Sequence, residues 1–579
     1  MIKKLASHIK EFKLTAALTP LCMIGEVVCE MIIPLMIASL VDDGVLAGDL
    51  RHVVKMALAM AAMSLLGLLL GGAGAIFAAQ SSTGFALNLR QAMFEHIQTF
   101  SFANIDKFST AGLITRLTTD VTNVQNAFQM MLRMCFRAPV SLVVAVVMAW
   151  RISPRMALIF LGVLAFLAVC LFFIMGSTTK LFPKVFKKYD ELNASVQENV
   201  SAIRVVKAYV REGFETDKFQ KASANLYNMF VQAENRMILT MPLMQLCMYA
   251  CILLVSWNGA HMVVGGELST GNLMSLFTYC SNILMNLMMV AMIVVMMTMS
   301  AAAGKRICEV LDEESTLVNG DEPLFEVADG SIDFENASFA YRADGHEVLS
   351  GIDLHIPAGA TVGILGGTGS AKTSLVQLVP RLYDVTGGCV KVGGVDVRRY
   401  DLDTLRGAVA MVLQKNVLFR GTIYENLRWG DAEATDEQCR EACRLACADE
   451  FIETFPDRYD SMVEQGGANL SGGQKQRLCI DRALLKQPKV LILDDSTSAV
   501  DTATDAKIRQ AFAEKIPGVT KLIVAQRISS IQHADHILVL DDGRISGWGT
   551  HEELLASNPI YQEVCRSQIR PEDTKGGEA

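Results

Sequence analysis

Residues 470–501, LSGGQKQRLCIDRALLKQPKVLILDDSTSAVD, pass from a glycine turn through a helix-forming stretch to an apolar strand that ends on two acids. Ser471-Gly472-Gly473 offers bare backbone N–H groups where a helix rich in Lys, Arg, Gln and Leu begins, and such a turn is an anion site. Beyond Pro488, the apolar run at 490–493 predicts a strand that delivers Asp494 and Asp495 at its C-terminal edge. Open α/β sheets bind ligands at that edge. Each piece alone is more often an ordinary turn or loop. In this order and spacing they require a phosphate loop upstream.

That loop is present. Gly366-Gly367-Thr368-Gly369-Ser370-Ala371-Lys372-Thr373 follows the apolar stretch at 361–365 and precedes a helix-like run that opens on Ser374. Backbone amides there would cradle phosphates, Lys372 would neutralise β/γ oxygens, and the Thr373 hydroxyl would ligate Mg²⁺. Together the stretches resemble the Walker A, signature and Walker B motifs of ATP-binding-cassette (ABC) ATPases. Ala371 stands where the pattern has its last glycine, and a positive φ there would cost on the order of 1 kcal/mol.

The 579 residues are 51% hydrophobic with a mean hydropathy of +0.31, an average over two unlike halves. Long apolar segments run to about residue 300, and after 330 the charge density is that of a soluble domain. The net charge of −9 gives no reason to expect nucleic acid as partner. The 14 cysteines are scattered, several within apolar segments, which suits free thiols in a reducing compartment. Cys439, Cys443 and Cys447 share the spacing of one helical face, and packing explains that spacing better than a metal.

Residues 1–13, MIKKLASHIKEFK, predict a basic amphipathic helix along the cytoplasmic surface rather than a cleavable signal. Six spans follow, at about 14–40, 53–79, 128–150, 155–178, 238–264 and 270–300, each near or above the ~20 residues a bilayer requires. Short loops at 41–52, 151–155 and 264–271 alternate with long polar stretches of helical periodicity. Short outside and long inside resembles the exporter-type ABC membrane domain, as do QENVSAIRVVKAY at 197–209 and EGFETDKF at 212–219. The resemblance implies coupling helices near 102–115 and 202–215. It implies an all-α six-helix transmembrane domain at 1–310, a linker at 311–330 and an α/β P-loop cassette at 331–569, with a disordered tail at 570–579. The N-terminus and the cassette would be cytosolic, at the cytoplasmic membrane.

Glu26 and Glu30 sit one turn apart in the first span, and Arg133 and Arg137 one turn apart in the third. Glu30 lies 12 residues before Asp42 and Arg137 13 before Trp150, about 18 and 20 Å along a helix; Glu26 and Arg133 lie about 24 and 26 Å deep. With the two helices taken as antiparallel, two acid–base pairs are available at matching depths. An interhelical clamp is favoured over a substrate or proton site facing a cavity. Residues 282–300 are dense in methionine, which lines adaptable pockets but also fills gaps, and Asn282 and Asn286 are the better candidates to face a cavity.

The resemblance also places Tyr341 as the aromatic that stacks on adenine, with a core tyrosine as the bland alternative. It places Gln414 as the glutamine linking Mg²⁺ to the coupling helices, and Asp494 with Thr373 as the Mg²⁺ ligands. Asp481 stands where the family has a small residue. Two further departures fall on the chemistry. Asp495 replaces the glutamate of hydrolysing members, and Gln526 replaces the histidine of the switch position. Family members bind ATP between the Walker motifs of one subunit and the signature of another, here Ser471, Gly472, Gly473 and Gln474 in trans. The sequence therefore resembles the degenerate half of a heterodimeric bacterial multidrug exporter moving hydrophobic or amphipathic drugs, lipids or peptides. An importer of siderophore type and a non-transporting sensor are the alternatives. The six spans exclude a soluble ABC ATPase.

Overall fold

Hydrocarbon supplies no hydrogen-bond partner, so an apolar segment crossing a membrane must satisfy its backbone as a helix. Six helical segments among the described residues are long and apolar enough: Lys10–Val45, Leu50–Gln98, Thr110–Ile152, Pro154–Thr178, Glu212–Val264 and Thr270–Val294. The computed structural model describes residues 1–568 except Lys180, Ala343, Asp344, Thr497 and Ser498, so the tail expected at 570–579 lies outside the described residues. Contacts divide the chain into one unit of residues 1–98 and 111–313, and a second of residues 99–110 and 314 onward.

In chain order the helices up to residue 313 are α1 (Ile2–Ser7), α2 (Lys13–Ser39), α3 (Leu50–Gln98), α4 (Phe102–Phe108), α5 (Thr110–Thr115), α6 (Val121–Ile152), α7 (Pro154–Thr179), α8 (Phe182–Ser201), α9 (Ile203–Ala208), α10 (Glu212–Met237), α11 (Thr240–Val264) and α12 (Thr270–Asp312). Short helices thus fall at both stretches expected to couple, α4 and α5 at the first and α9 at the second. Helices α3 and α12 run past the length a bilayer needs, and the polar-patterned α10 precedes the apolar α11.

Backbone contacts fix helix direction. On α12, Tyr279 donates to the Met31 carbonyl at 2.7 Å, Ser275 to that of Pro34 at 2.5 Å, and the Gly271 amide to Asp42 at 2.9 Å. Numbers rise on α2 as they fall on α12. The same holds against α6, where Asn286 donates to Ser141 at 2.8 Å and Ser300 to the Asn123 carbonyl at 3.4 Å. Helices α2 and α6 are both antiparallel to α12 and so parallel to each other, which corrects the antiparallel expectation. One complete out-and-back crossing separates their starts, so both run the same way. Asn286, expected to face a cavity, is instead buried between α12 and α6, where its amide also reaches the Asn282 carbonyl.

The two expected acid–base pairs become one fork. Arg137 Nη1 donates to Glu26 Oε1 at 2.9 Å and Nη2 to Glu30 Oε2 at 3.1 Å. Glutamates one turn apart present their carboxylates at the spacing a planar guanidinium can bridge. Arg133 takes part in neither pair. Gly71 of α3 closes the other side, since a Cβ there would lie 3.0 Å from the Glu26 carboxyl carbon.

The second unit holds β1 (Ile332–Phe339), β2 (Leu349–Ile356), β3 (Thr361–Gly366), β4 (Gly387–Val392), β5 (Val395–Asp396), β6 (Val409–Val412), β7 (Gly421–Thr422), β8 (Met462–Val463), β9 (Val490–Asp494), β10 (Thr520–Val524), β11 (His536–Asp541) and β12 (Arg544–Gly549). One sheet has the order β12-β11-β3-β10-β9-β6, parallel except for β12 at its edge. An antiparallel sheet, β2-β1-β4-β5, covers part of it, their apolar faces sharing one core. Its helices are α13 (Lys372–Leu378), α14 (Leu402–Ala408), α15 (Ile423–Leu427), α16 (Asp436–Leu445), α17 (Asp449–Ile452), α18 (Gly472–Leu485), α19 (Thr502–Lys515), α20 (His551–Ser557) and α21 (Pro559–Gln568). The central strands β3, β9 and β10 of the parallel sheet are mostly apolar and are buried on both faces, as a sheet covered on both sides demands. Helix α4 belongs to this unit: Asn104 is buried and donates to the Glu314 carbonyl at 3.0 Å while accepting from the Thr316 amide at 3.2 Å. The Tyr383 hydroxyl donates to Asp106 at 2.7 Å.

Asp481 is fully buried on α18, and no nitrogen or oxygen donor among the described residues reaches either carboxyl oxygen. The Cys443 thiol of α16 hydrogen-bonds it, and burial holds the carboxyl well above the usual carboxylate range. The family's small residue avoids that burden.

Two outcomes follow for thermal unfolding of the full chain in detergent. Arg137→Met leaves two acids one turn apart with no cation between them. It should lower Tm more than Glu30→Gln, because the Glu30 side chain is 41% exposed and that of Glu26 only 20%. A Glu30→Gln loss equal to that of Arg137→Met would break the fork interpretation. Asp481→Ala should raise stability near pH 8 by about 1–3 kcal/mol. With its folded pKa raised, Asp481 contributes fully only below its unfolded pKa, and that contribution fades as pH rises toward the folded value. The gain from alanine should therefore shrink toward pH 4, and a pH-independent difference would rule out the buried acid as its source.

Candidate nucleotide site

Helix α13 begins where β3 ends, so the 366–373 loop lies at the C-terminal edge of the parallel sheet. Strand β9 ends on Asp494 at the same edge, and the two acids meet the loop from the side. A cleft of about 480 Å³ is lined by Gly366, Gly367, Thr368, Gly369, Ala371, Lys372, Thr373, Ser374, Gln414, Asp494, Asp495 and Gln526. Ser370 is buried beneath it and donates to the Gly367 carbonyl at 2.9 Å.

Lys372 Nζ donates to the carbonyls of Gly366 and Gly367, both at 2.8 Å, and burial lowers its pKa. Burial raises the carboxyls of Asp494 and Asp495. Thr373 Oγ1 donates to Asp494 Oδ1 at 3.1 Å, and Asp494 Oδ2 is buried with no hydrogen-bond partner among the described residues. A hydroxyl and an unsatisfied carboxylate oxygen side by side, with Gln414 on the same wall, are the donor set a magnesium ion takes. The residues fit that ion.

Ala371 has φ +70° and ψ 21°, the left-handed conformation of the glycine it replaces. Asp495 is also left-handed, at φ +50°. Gln526 Nε2 donates to Asp495 Oδ2 at 2.9 Å. Tyr341 is 48% exposed; its hydroxyl is 2.8 Å from Ser374 Oγ and its ring stands edge-on to Phe339 and Tyr383. It is therefore no core tyrosine, and it meets the loop through Ser374.

Ser471–Gln474 lies outside this cleft, at the start of α18. Ser471 Oγ accepts from the Gln474 amide and Gln474 Oε1 from the Ser471 amide, a reciprocal cap that leaves the first-turn amides of Gly472 and Gly473 to point beyond the helix. A Cβ on Gly473 would come within 2.9 Å of the Ala499 carbonyl, which is why the turn needs glycine.

Sequence reading missed two supports. Tyr383 stands between Tyr341 and α4, bonded to Asp106. Gln568 of α21 donates to the Gln526 carbonyl at 2.8 Å and accepts from the Ile528 amide at 2.8 Å, so it splints the segment carrying Gln526. Neither carries a local signal, because each acts through a partner far away in the chain.

Residues 17–288 match the family model for the ABC transporter transmembrane region, and 349–498 match the ABC transporter model. The ABC transporter ATP-binding protein YfiB of Bacillus subtilis is 36% identical over 99% of this chain and 100% of its own length. The chain belongs to the ABC transporter family. The mitochondrial potassium channel ATP-binding subunit of Xenopus tropicalis is 33% identical over 83% of this ABC transporter chain and 70% of its own. A solved bacterial Atm1-family ABC exporter with ATP bound superposes with a TM-score of 0.82 at 24% identity, over 97% of this chain and 100% of that one. The fold is thus the exporter type, with six apolar helical segments among the described residues followed by an α/β cassette, in a multi-pass membrane protein whose cassette binds ATP.

Ala371→Gly should raise the stability of the full-length transporter by up to about 1 kcal/mol, since glycine adopts φ +70° without a Cβ clash. Thermal unfolding with and without ATP reads this; an unchanged or lower Tm would mean the loop is unstrained at 371.

Proposed function

We propose that this chain is one half of a heterodimeric ATP-driven exporter, and that its own Walker residues form the weakly hydrolytic of two composite sites. The observation that carries the reading is the Asp495–Gln526 pair. A general base must be free to take a proton from water and must reach it. One Asp495 oxygen is engaged by the Gln526 amide, the side chain is one methylene shorter than glutamate, and Gln526 can neither carry a proton nor a charge. Lys372 and the loop amides from Gly366 to Ser374 bind and orient the phosphates, and Tyr341 offers its face to the base. Thr373, Asp494 and Gln414 would hold Mg²⁺, whose role is to offset phosphate charge. Ser471 to Gln474 completes the partner's site, aiming amides at its γ-phosphate.

Apolar spans and the methionine-rich α12 support a hydrophobic or amphipathic small-molecule substrate. Lys3, Lys4, Lys10 and Lys13 support a cytosolic N-terminus, and with it a cytosolic cassette at the cytoplasmic membrane.

The chain purified alone should hydrolyse ATP slowly, because both of its sites would lack acid–base functions worth ~10²–10⁴-fold each. In the heterodimer, Asp495→Asn should lower turnover only slightly, whereas changing the partner's matching glutamate to glutamine should nearly abolish it. Ser471→Arg should be the damaging change in this chain. ATPase assays at saturating Mg-ATP decide: robust homodimer turnover, or Asp495→Asn as harmful as the partner's change, ends the asymmetric reading. ATP-dependent accumulation of a lipophilic dye in inside-out vesicles tests export.

A further inference from the structure

The fork in the membrane unit leaves one cation over. Arg137 gives both its arms to Glu26 and Glu30. Arg133, one turn earlier on α6, makes no hydrogen bond or ion pair with any described residue, and its buried Nε–H has no acceptor. With two acids and one guanidinium, the fork leaves Arg133 available to balance its charge without touching it. Charge balance does not satisfy N–H donors, which are costly to leave unmet at membrane depth.

The position on the helix shows where this guanidinium emerges. Ala127, Ala138, Ala145 and Ala149 form the packed row of α6, and Phe136, Val143, Val147 and Trp150 form an exposed apolar row. At ~100° per residue, Arg133 lies about 70° from the centre of the exposed row and about 135° from that of the packed row. It therefore stands at the rim of an open apolar face, with Trp150 at the far end of that face about 26 Å away along the axis.

We propose that Arg133 recognises the anionic group of an amphiphile, a carboxylate or phosphate, whose tail lies along the row of Phe136, Val143 and Val147. A planar fork takes two oxygens of such a group at once, and the tail would lie on the apolar row that this chain's own described residues leave uncovered. That chemistry has two sources, a transported amphiphile or an anionic membrane lipid. The transported case rests on the export reading above and makes its substrate class acidic rather than cationic.

The test uses the assembled transporter in uncharged detergent and a pair of probes, dansyl-aminoundecanoic acid and the trimethylammonium probe of the same tail, followed by fluorescence. The acid should bind more tightly than the ammonium. Arg133→Gln should weaken the acid by about ten- to a hundred-fold and leave the ammonium no weaker, which also reports a folded site; Arg133→Lys should retain part of the preference. Equal affinity for both probes, or an acid affinity unchanged in Arg133→Gln, overturns the proposal and leaves Arg133 a charge balance for the fork. In nanodiscs, competition of the acid by phosphatidylglycerol that disappears in Arg133→Gln assigns the site to lipid. ATP-driven accumulation of the acid in inside-out vesicles assigns it to a transported molecule. An Arg133-dependent preference with no ATP-driven accumulation of the acid leaves the anion site standing and removes the transported source.

Discussion

A charged fork inside an apolar bundle fixes the membrane unit. Arg137 reaches from α6 to two acids on α2, and α3 closes over Glu26 at Gly71, where a Cβ would lie 3.0 Å from the carboxyl carbon. Dispersion between apolar helices is nearly indifferent to rotation and sliding, because lipid offers the same contacts. Partly buried ion pairs at membrane depth are not indifferent, since a helix turned or shifted by one residue leaves a charge without its partner. The fork, with Asn286 on Ser141 and Tyr279 on the Met31 carbonyl, sets the register of α2, α6 and α12.

The cassette obeys a different constraint. Its central strands are mostly apolar and buried on both faces, so polar groups gather at the strand ends, and the loop after β3 and the acids after β9 arrive together because those strands share one sheet with β10 between them. Two residues of that edge, Ala371 and Asp495, hold left-handed backbone without glycine. Such strain persists only where surrounding structure over-determines it.

How much of this was legible follows the range of each signal. Spans of twenty apolar residues, a glycine loop between a strand and a helix, and acids closing an apolar run are local patterns, and the fold they imply is the fold observed. The ionisable residues of the membrane unit were visible, but their pairing was not. Periodicity places Glu26 and Arg137 on faces, whereas helix direction depends on counting crossings. The roles of Tyr383 and Gln568 were invisible, because one partner is 277 residues away and the other 42. Asp481 was odd in sequence and is physically odd in place.

Residues 99–110 pack with the cassette although about 200 residues of the membrane unit separate them from its start. Asn104 is wired to the backbone at Glu314 and Thr316 as a core residue would be. The cassette is therefore not a contiguous stretch of the gene. Recombination that joined a foreign ATPase at the linker would import a piece lacking its own peg, and the host's α4 would have to fit it. Modules of this kind can be exchanged only where both segments travel together or already match.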